Sequence, residues 1–296
     1  MSELVLVSGS SRGLGAHIAK SFVKNGYRVA INYFSSQSEA EELEELLGAN
    51  SKSFYADISE KNDVLTMMEK IKNHFGITPN ILVNNALAQY EFNGDLRKKA
   101  DEITTEEINK QVQVTINGSV NLIQSVLDGM KKKNYGKIIN IGTNLFQNPV
   151  VPYHDYIIAK GALLALTRSF AKDLGQYGIR VNMVSGGLLK VTDASASTPD
   201  EVFKYIAEQT PIGEVTTLET FTNAMMFFAK KDSDGVTGQN LIVDGGLTAN
   251  SFTIGTFTFT NLTVNGSSSF DSSITASGDI SSSGTISANT YVGVVS

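Results

Sequence analysis

From Leu4 to about Thr248 the chain alternates between two rhythms of apolar and polar positions. Short apolar runs recur, in Leu4–Val7, Arg28–Asn32, Ser53–Ala56, Asn80–Val83, Lys137–Ile141, Arg180–Val184 and Asn240–Val243. Runs of this length, without strict alternation, read as strands buried on both faces of a parallel sheet. Between them the apolar spacing changes to three and four. Ala16–Asn25 places Ile18, Phe22 and Val23 on one helical face, with Gly26 positioned to cap it, and Glu39–Leu47 is a helix with an acidic, solvated face. Ser59 is read as the N-cap of a helix through Asn73. Further helices are expected from Thr105 to Lys132, with an interruption near Asn117-Gly118, and from the stretch around Tyr156 to about Tyr177. Thr198-Pro199-Asp200-Glu201 carries an N-cap followed by proline at the first helical position. Strands alternating with helices predict an α/β fold, a doubly wound seven-stranded parallel sheet.

Ligands on such sheets bind beyond the carboxyl ends of the strands, and the chain's unusual polar clusters fall there. The first strand runs into Ser8-Gly9-Ser10-Ser11-Arg12-Gly13-Leu14-Gly15, and a helix follows. Strand, glycine turn, helix is the context of a dinucleotide-binding loop. The glycines permit a tight turn and close approach of a pyrophosphate, which the N–H groups and dipole of the helix N-terminus favour. Ser11 and Leu14 belong to this loop. The second strand ends in Asn32-Tyr33-Phe34-Ser35-Ser36 and has no carboxylate to hold an adenosine ribose. Arg12 supplies a cation in the loop, and hydroxyls stand nearby, which favours the 2′-phosphate of NADP(H). Asp57-Ile58 and Asn84-Asn85-Ala86 follow the third and fourth strands. Tyr156 and Lys160 lie four apart, one turn along a helix face, where an ammonium beside a phenol is expected to draw the phenol's pKa down toward neutrality.

Composition narrows the chemistry. The chain has 296 residues, net charge −6, no cysteine and three histidines far apart in sequence. Disulfides and thiolate metal sites are excluded, no metal site is expected, and neither a nucleic-acid surface nor a membrane anchor fits the charge balance. No apolar run approaches a membrane span, and the chain start lacks a basic signal-peptide pattern, so the default is cytoplasmic. Composition shifts abruptly near residue 250, which divides the chain into residues 1–250 and 251–296. Ser251–Ser296 contains no Lys, Arg, Glu or Pro, yet Ile274, Ile280, Ile286 and Val292 recur every six residues. That period reads as short strands of a β-rich fibre segment, and the composition equally as a disordered linker.

Taken together, residues Leu4 to about Thr248 resemble the short-chain dehydrogenase/reductase family, and among its members most the 3-oxoacyl-(acyl-carrier-protein) reductases. The resemblance rests on Gly9-x-x-x-Gly13-x-Gly15, Asp57-Ile58, Asn84-Asn85-Ala86, Tyr156-x-x-x-Lys160 and the final strand ending Asp244-Gly245-Gly246. It implies a Rossmann-type fold, NADP(H), a small-molecule carbonyl substrate and a homo-oligomer, a dimer or tetramer. It further implies that Tyr156 protonates the substrate oxygen, that Lys160 lowers its pKa and holds the nicotinamide ribose, that Thr143 stands for the family's serine, and that Leu189 packs on the cofactor. Three positions depart from the family pattern. Thr115 stands where a proton-relay asparagine is expected, with Asn117 able to replace it only if the helix bulges; Leu87 replaces a glycine; and Gly186-Gly187 replaces Pro-Gly, loosening the pocket loop. The substrate pocket is expected among residues 87–97, 146–153 and 188–205, with Tyr90, Phe92, Phe146, Tyr153 and Phe203. The tail resembles phage or viral tail-fibre repeats. This leaves a second reading, a non-catalytic reductase fold carried on a virion-associated fibre, which would favour a trimer.

Overall fold

The structure, a computed structural model, describes residues 3–248 apart from 91, 191, 193, 194 and 197. The fibre-like or disordered tail and the boundary at 250 lie outside the described residues. In chain order the elements are β1 (Leu4–Val7), α1 (Gly13–Lys24), β2 (Arg28–Tyr33), α2 (Gln37–Leu47), β3 (Ser51–Tyr55), α3 (Lys61–Phe75), β4 (Ile81–Asn84), α4 (Thr105–Val112), α5 (Ser119–Lys133), β5 (Gly136–Thr143), α6 (His154–Leu174), β6 (Ile179–Gly186), α7 (Asp200–Gln209), α8 (Leu218–Ala229) and β7 (Asn240–Val243). The strands form one seven-stranded parallel sheet in the order β3-β2-β1-β4-β5-β6-β7.

The period-2 pleat divides each strand between two cores. Leu4 and Leu6 point to one face and pack with Val64, Met67 and Ile71 of α3 and with Leu122, Val126 and Met130 of α5. Val5 and Val7 point to the other, against Ile18 and Phe22 of α1, Leu43 of α2 and Phe221 and Met225 of α8. Helices therefore cover both faces, as the uninterrupted apolar strands require. The sheet order reverses between β1 and β4, so the loops leaving these two strands diverge to opposite faces and open a crevice at their carboxyl ends.

Several local expectations change. Ser59 does not cap α3; its hydroxyl donates to Asp57 Oδ1 at 2.6 Å, and the helix starts two residues later. Thr198 does not cap α7 either, because extended Pro199 directly precedes Asp200. The interruption near Asn117-Gly118 is a π-helical turn, Gln113–Gly118, that joins α4 to α5. Helix α8 has no sequence counterpart above: its run Ala224-Met225-Met226-Phe227-Phe228-Ala229 is wholly apolar, so its period is hidden.

Candidate active site

A cavity of about 1260 Å³ runs along the carboxyl ends of the strands. One end is built on the turn after β1. Gly9 and Gly13 adopt φ of +57° and +55°, the left-handed region that favours glycine. Gly15 is needed for proximity, since a Cβ there would stand 2.3 Å from the Gly9 carbonyl oxygen and 2.7 Å from Asn85 Nδ2. Nothing lies within 4 Å of a Cβ built on Gly13, so the start of α1 presents open backbone to the cavity. Ser8 and Asn85 fasten this turn to β4. The Ser8 hydroxyl accepts from the Asn85 and Ala86 N–H groups at 3.0 Å each, and Asn85 Nδ2 donates to the Ser8 and Gly9 carbonyls at 3.0 and 2.9 Å. Asn32 is buried at the end of β2; its Oδ1 accepts from Gly9 N–H at 3.1 Å and its Nδ2 donates to the Ala56 carbonyl at 3.1 Å.

Of the positions singled out from sequence, Gly9, Ser11, Arg12, Gly13, Leu14, Gly15, Asn32, Asp57, Ile58, Asn85, Ala86, Thr143, Tyr156, Lys160 and Leu189 all line this cavity. Asn84 is the exception. Its amide turns into the sheet, where Nδ2 donates to Asn140 Oδ1 at 2.8 Å, and Asn140 in turn donates to Thr167. It braces β4 against β5 rather than facing a ligand. Asn32 lines the wall, yet its amide is committed to the glycine turn.

At the other end, β5 carries Thr143 at its last position and the first turn of α6 carries Tyr156. Both side chains line the cavity, and burial pushes the Tyr156 phenol up to about 12, with the neighbouring Thr143 hydroxyl opposing the rise. Lys160, one turn on, is 3 % exposed; its Nζ donates to the Ile141 carbonyl at 2.7 Å, and burial pushes its pKa down to about 8. This corrects the expectation that Lys160 draws the phenol down toward neutrality. The Lys160 Nζ lies 5.8 Å from the Tyr156 ring centroid and is engaged with a backbone carbonyl, so desolvation outweighs the charge. At neutral pH the phenol is a protonated donor facing the cavity.

The helix does bulge where the relay asparagine is absent, but the bulge leaves Asn117 exposed, so it replaces nothing. Thr115 instead points inward, 1 % exposed, and its Oγ1 has no hydrogen-bond partner among the described residues. Gly118 is required by its neighbour: a Cβ there would meet the Ile58 side chain at 2.7 Å. Gly186-Gly187 does not loosen the pocket loop as expected. A Cβ on Gly186 would press on the Phe221 ring and one on Gly187 on Asp244, both at 3.1 Å, so the glycines pack tightly beneath a loop that Ser195 ties to the Leu189 carbonyl at 2.8 Å. Leu87 lines the cavity where the family has glycine. Of the five aromatics expected in the pocket, Tyr90, Phe92 and Tyr153 line it; Phe146 and Phe203 do not.

The family model described as Enoyl-(Acyl carrier protein) reductase matches residues 9–248. The chain belongs to the short-chain dehydrogenase/reductase family. It is 31% identical over 245 residues to a 3-oxoacyl-[acyl-carrier-protein] reductase of Escherichia coli, covering 83% of this chain and 97% of that one. A reductase of the same description from Haemophilus influenzae is 32% identical, covering 83% and 98%. Among solved structures, a gluconate 5-dehydrogenase from Burkholderia cenocepacia in complex with NADP and tartrate superposes with a TM-score of 0.75 at 27% identity, covering 84% of this chain and 96% of that one. A 3-ketoacyl-(acyl-carrier-protein) reductase from Brucella melitensis complexed with NADH has the same fold, with a TM-score of 0.75, 24% identity and coverage of 83% and 98%. As a member of this family the chain is an NAD(P)-dependent oxidoreductase. Among the described residues no helix is long and apolar enough to cross a membrane.

Proposed function

We propose that the protein reduces a ketone to a secondary alcohol with NADPH, and that 3-oxoacyl thioesters are the first class to test. The observation that carries this reading is that Thr143, Tyr156 and Lys160 line the same cavity as the glycine turn of Gly9, Gly13 and Gly15. The cofactor fits that turn, because open backbone over Gly13 and the start of α1 offer N–H groups to a pyrophosphate. Gly9, Ser11, Gly13, Leu14 and Gly15 would cradle the phosphates. Asp57, Ile58, Asn85 and Ala86 would flank the adenosine, and Leu189 and Lys160 the nicotinamide end. Arg12, with Ser35 and Ser36 on the same wall, would take the 2′-phosphate, since a guanidinium and hydroxyls are the donors such a group requires. When bound, the nicotinamide supplies the hydride.

The chain's own residues handle the oxygen. Thr143 and Tyr156 both hold hydrogens that a carbonyl oxygen entering the cavity accepts, and the phenol gives its proton as charge builds there. Lys160 stands one turn away, within the same buried wall, where its charge stabilises the phenolate left behind. A homo-oligomer acting in the cytoplasm is the arrangement consistent with the reductases this chain resembles. A virion-associated role rests on residues 251–296 alone, which lie beyond the matched region.

The test is incubation with NADPH and an acetoacetyl thioester. The expected result is one 3-hydroxy product formed per NADPH consumed. Tight NADPH binding with no product from this or any other ketone contradicts the reading.

A further inference from the structure

The wall opposite the cofactor turn holds an aromatic assembly around Tyr156. The Tyr90 ring stacks on the Tyr156 ring, centroids 5.4 Å apart and planes at 29°, while Phe92 meets Tyr156 edge-on at 5.2 Å. Tyr153 completes the group, 6.0 Å from Tyr90 and 5.2 Å from Phe92. Two hydrogen bonds pin this segment to the start of α6. The Tyr90 hydroxyl donates to Asp155 Oδ1 at 2.9 Å, and Gly94 N–H donates to the Tyr153 hydroxyl at 2.8 Å. Asp155 directly precedes Tyr156, so the ring that covers the phenol is tied to the residue beside it.

Resting on the reading that Tyr156 is the proton donor, we propose that Tyr90 is a positioning residue for that step: its ring, held by Asp155, fixes the Tyr156 phenol and keeps water from it. Stacking restricts the Tyr156 ring to one plane, facing Thr143. Cover on one face also maintains the burial that keeps the phenol protonated. The ionisable groups around Tyr156 are Tyr90 on the covering segment, Tyr153 just before α6, and Asp155 and Lys160 on α6 itself. Tyr90 stays protonated through the working range, because burial and the Asp155 carboxylate raise its pKa. It therefore remains the donor to Asp155 while Tyr156 works.

The variants separate ring from latch. Tyr90→Leu removes both; Tyr90→Phe keeps the ring and loses the latch; Asp155→Ala loses the latch from the other side, and Asp155→Asn restores an acceptor. Tyr90→Leu is expected to lower kcat roughly 10- to 100-fold with a smaller change in KM, since misplacing a catalytic group is costly. The alkaline limb of its pH–rate profile is expected to move down by about half a unit or more as water reaches the phenol. Tyr90→Phe and Asp155→Ala each lose a few-fold in kcat, their combination loses no more than either alone, and Asp155→Asn recovers most of the Asp155→Ala loss. An unmoved alkaline limb in Tyr90→Leu, or strictly additive losses in the double variant, overturns the proposal. Ultraviolet titration of tyrosinate, taken as each protein minus its Tyr156→Phe version, reads the same shift without turnover. If no ketone is reduced but the titration shows the Tyr156 phenol shifted down in Tyr90→Leu, the positioning stands and the reductase reading fails; no shift there overturns the positioning whatever the turnover.

Discussion

The glycine-turn end and the Tyr156 end of the cavity are held by different forces. At the glycine turn, shape comes from backbone: left-handed Gly9 and Gly13, a Gly15 with no room for a Cβ, and a lattice of hydrogen bonds from Ser8 and Asn85. Around Tyr156, shape comes from side chains of segments far apart in sequence: Tyr90 and Phe92 after β4, Tyr153 before α6, Leu188 and Leu189 after β6. Backbone geometry tolerates almost no substitution, whereas a wall of stacked rings can be rebuilt with other rings. On the proposed reading, the first end holds the cofactor that the family shares and the second is free to choose a substrate.

The sharpest way to break this contrast is to put a side chain where the backbone allows none. Gly15→Val drives carbons into the Gly9 carbonyl and Asn85, and is expected to weaken NADPH roughly 100-fold or more and to lower Tm. Calorimetric titration beside a melting curve checks it; near-normal affinity shows that the turn is softer than its contacts imply.

Arg12→Ala probes charge rather than shape at the same end. NADPH affinity is expected to fall roughly 10- to 100-fold and NADH affinity by about twofold or less, the size of a lost charge-assisted pair. An equal loss for both cofactors refutes the 2′-phosphate role.

The smallest effect lies at the other end, in stability. Lys160 has a pKa of about 8 in the folded chain against 10.5 ordinarily. Below pH 8 it is charged in both folded and unfolded states, and its full burial cost is present. Between pH 8 and 10.5 the folded chain loses the proton first, so the cost is relieved as pH rises. Lys160→Met removes the charge at the expense of the hydrogen bond to Ile141, and is expected to raise Tm by a few degrees at pH 7, a net of roughly 1–2 kcal/mol. That advantage is expected to disappear by about pH 10.5. An advantage independent of pH shows that Lys160 is not the source.

The same contrast explains what could be read from residue order. The glycine turn, Asp57-Ile58, Tyr156 and Lys160 were legible because each belongs to one short stretch whose local geometry fixes its place. The strands were legible for the same reason, and β1 and β7 fall at the expected bounds. Asn84 was misplaced because neighbouring residues on a strand end point opposite ways: Asn85 reaches the turn and Asn84 the sheet. The direction of the Tyr156 shift was misread because a spacing of four reveals proximity but not desolvation, nor the carbonyl that takes up the Lys160 ammonium. Tyr90 was visible as a pocket aromatic, yet its pairing with Asp155 spans 65 positions and no local pattern announces it. Gly186-Gly187 looked like slack because the Phe221 and Asp244 that fill the space around it come from later elements.

The central claim is that the Tyr156 phenol delivers the proton to a bound ketone. Its most direct test is kcat for an acetoacetyl thioester with Tyr156→Phe at saturating NADPH, alongside the NADPH dissociation constant. The account predicts a loss of roughly 1,000-fold in kcat with NADPH affinity within about threefold of the unaltered protein. A variant that binds NADPH normally and keeps more than about a tenth of the rate contradicts it, because removing a general acid from the step cannot leave the rate so nearly intact.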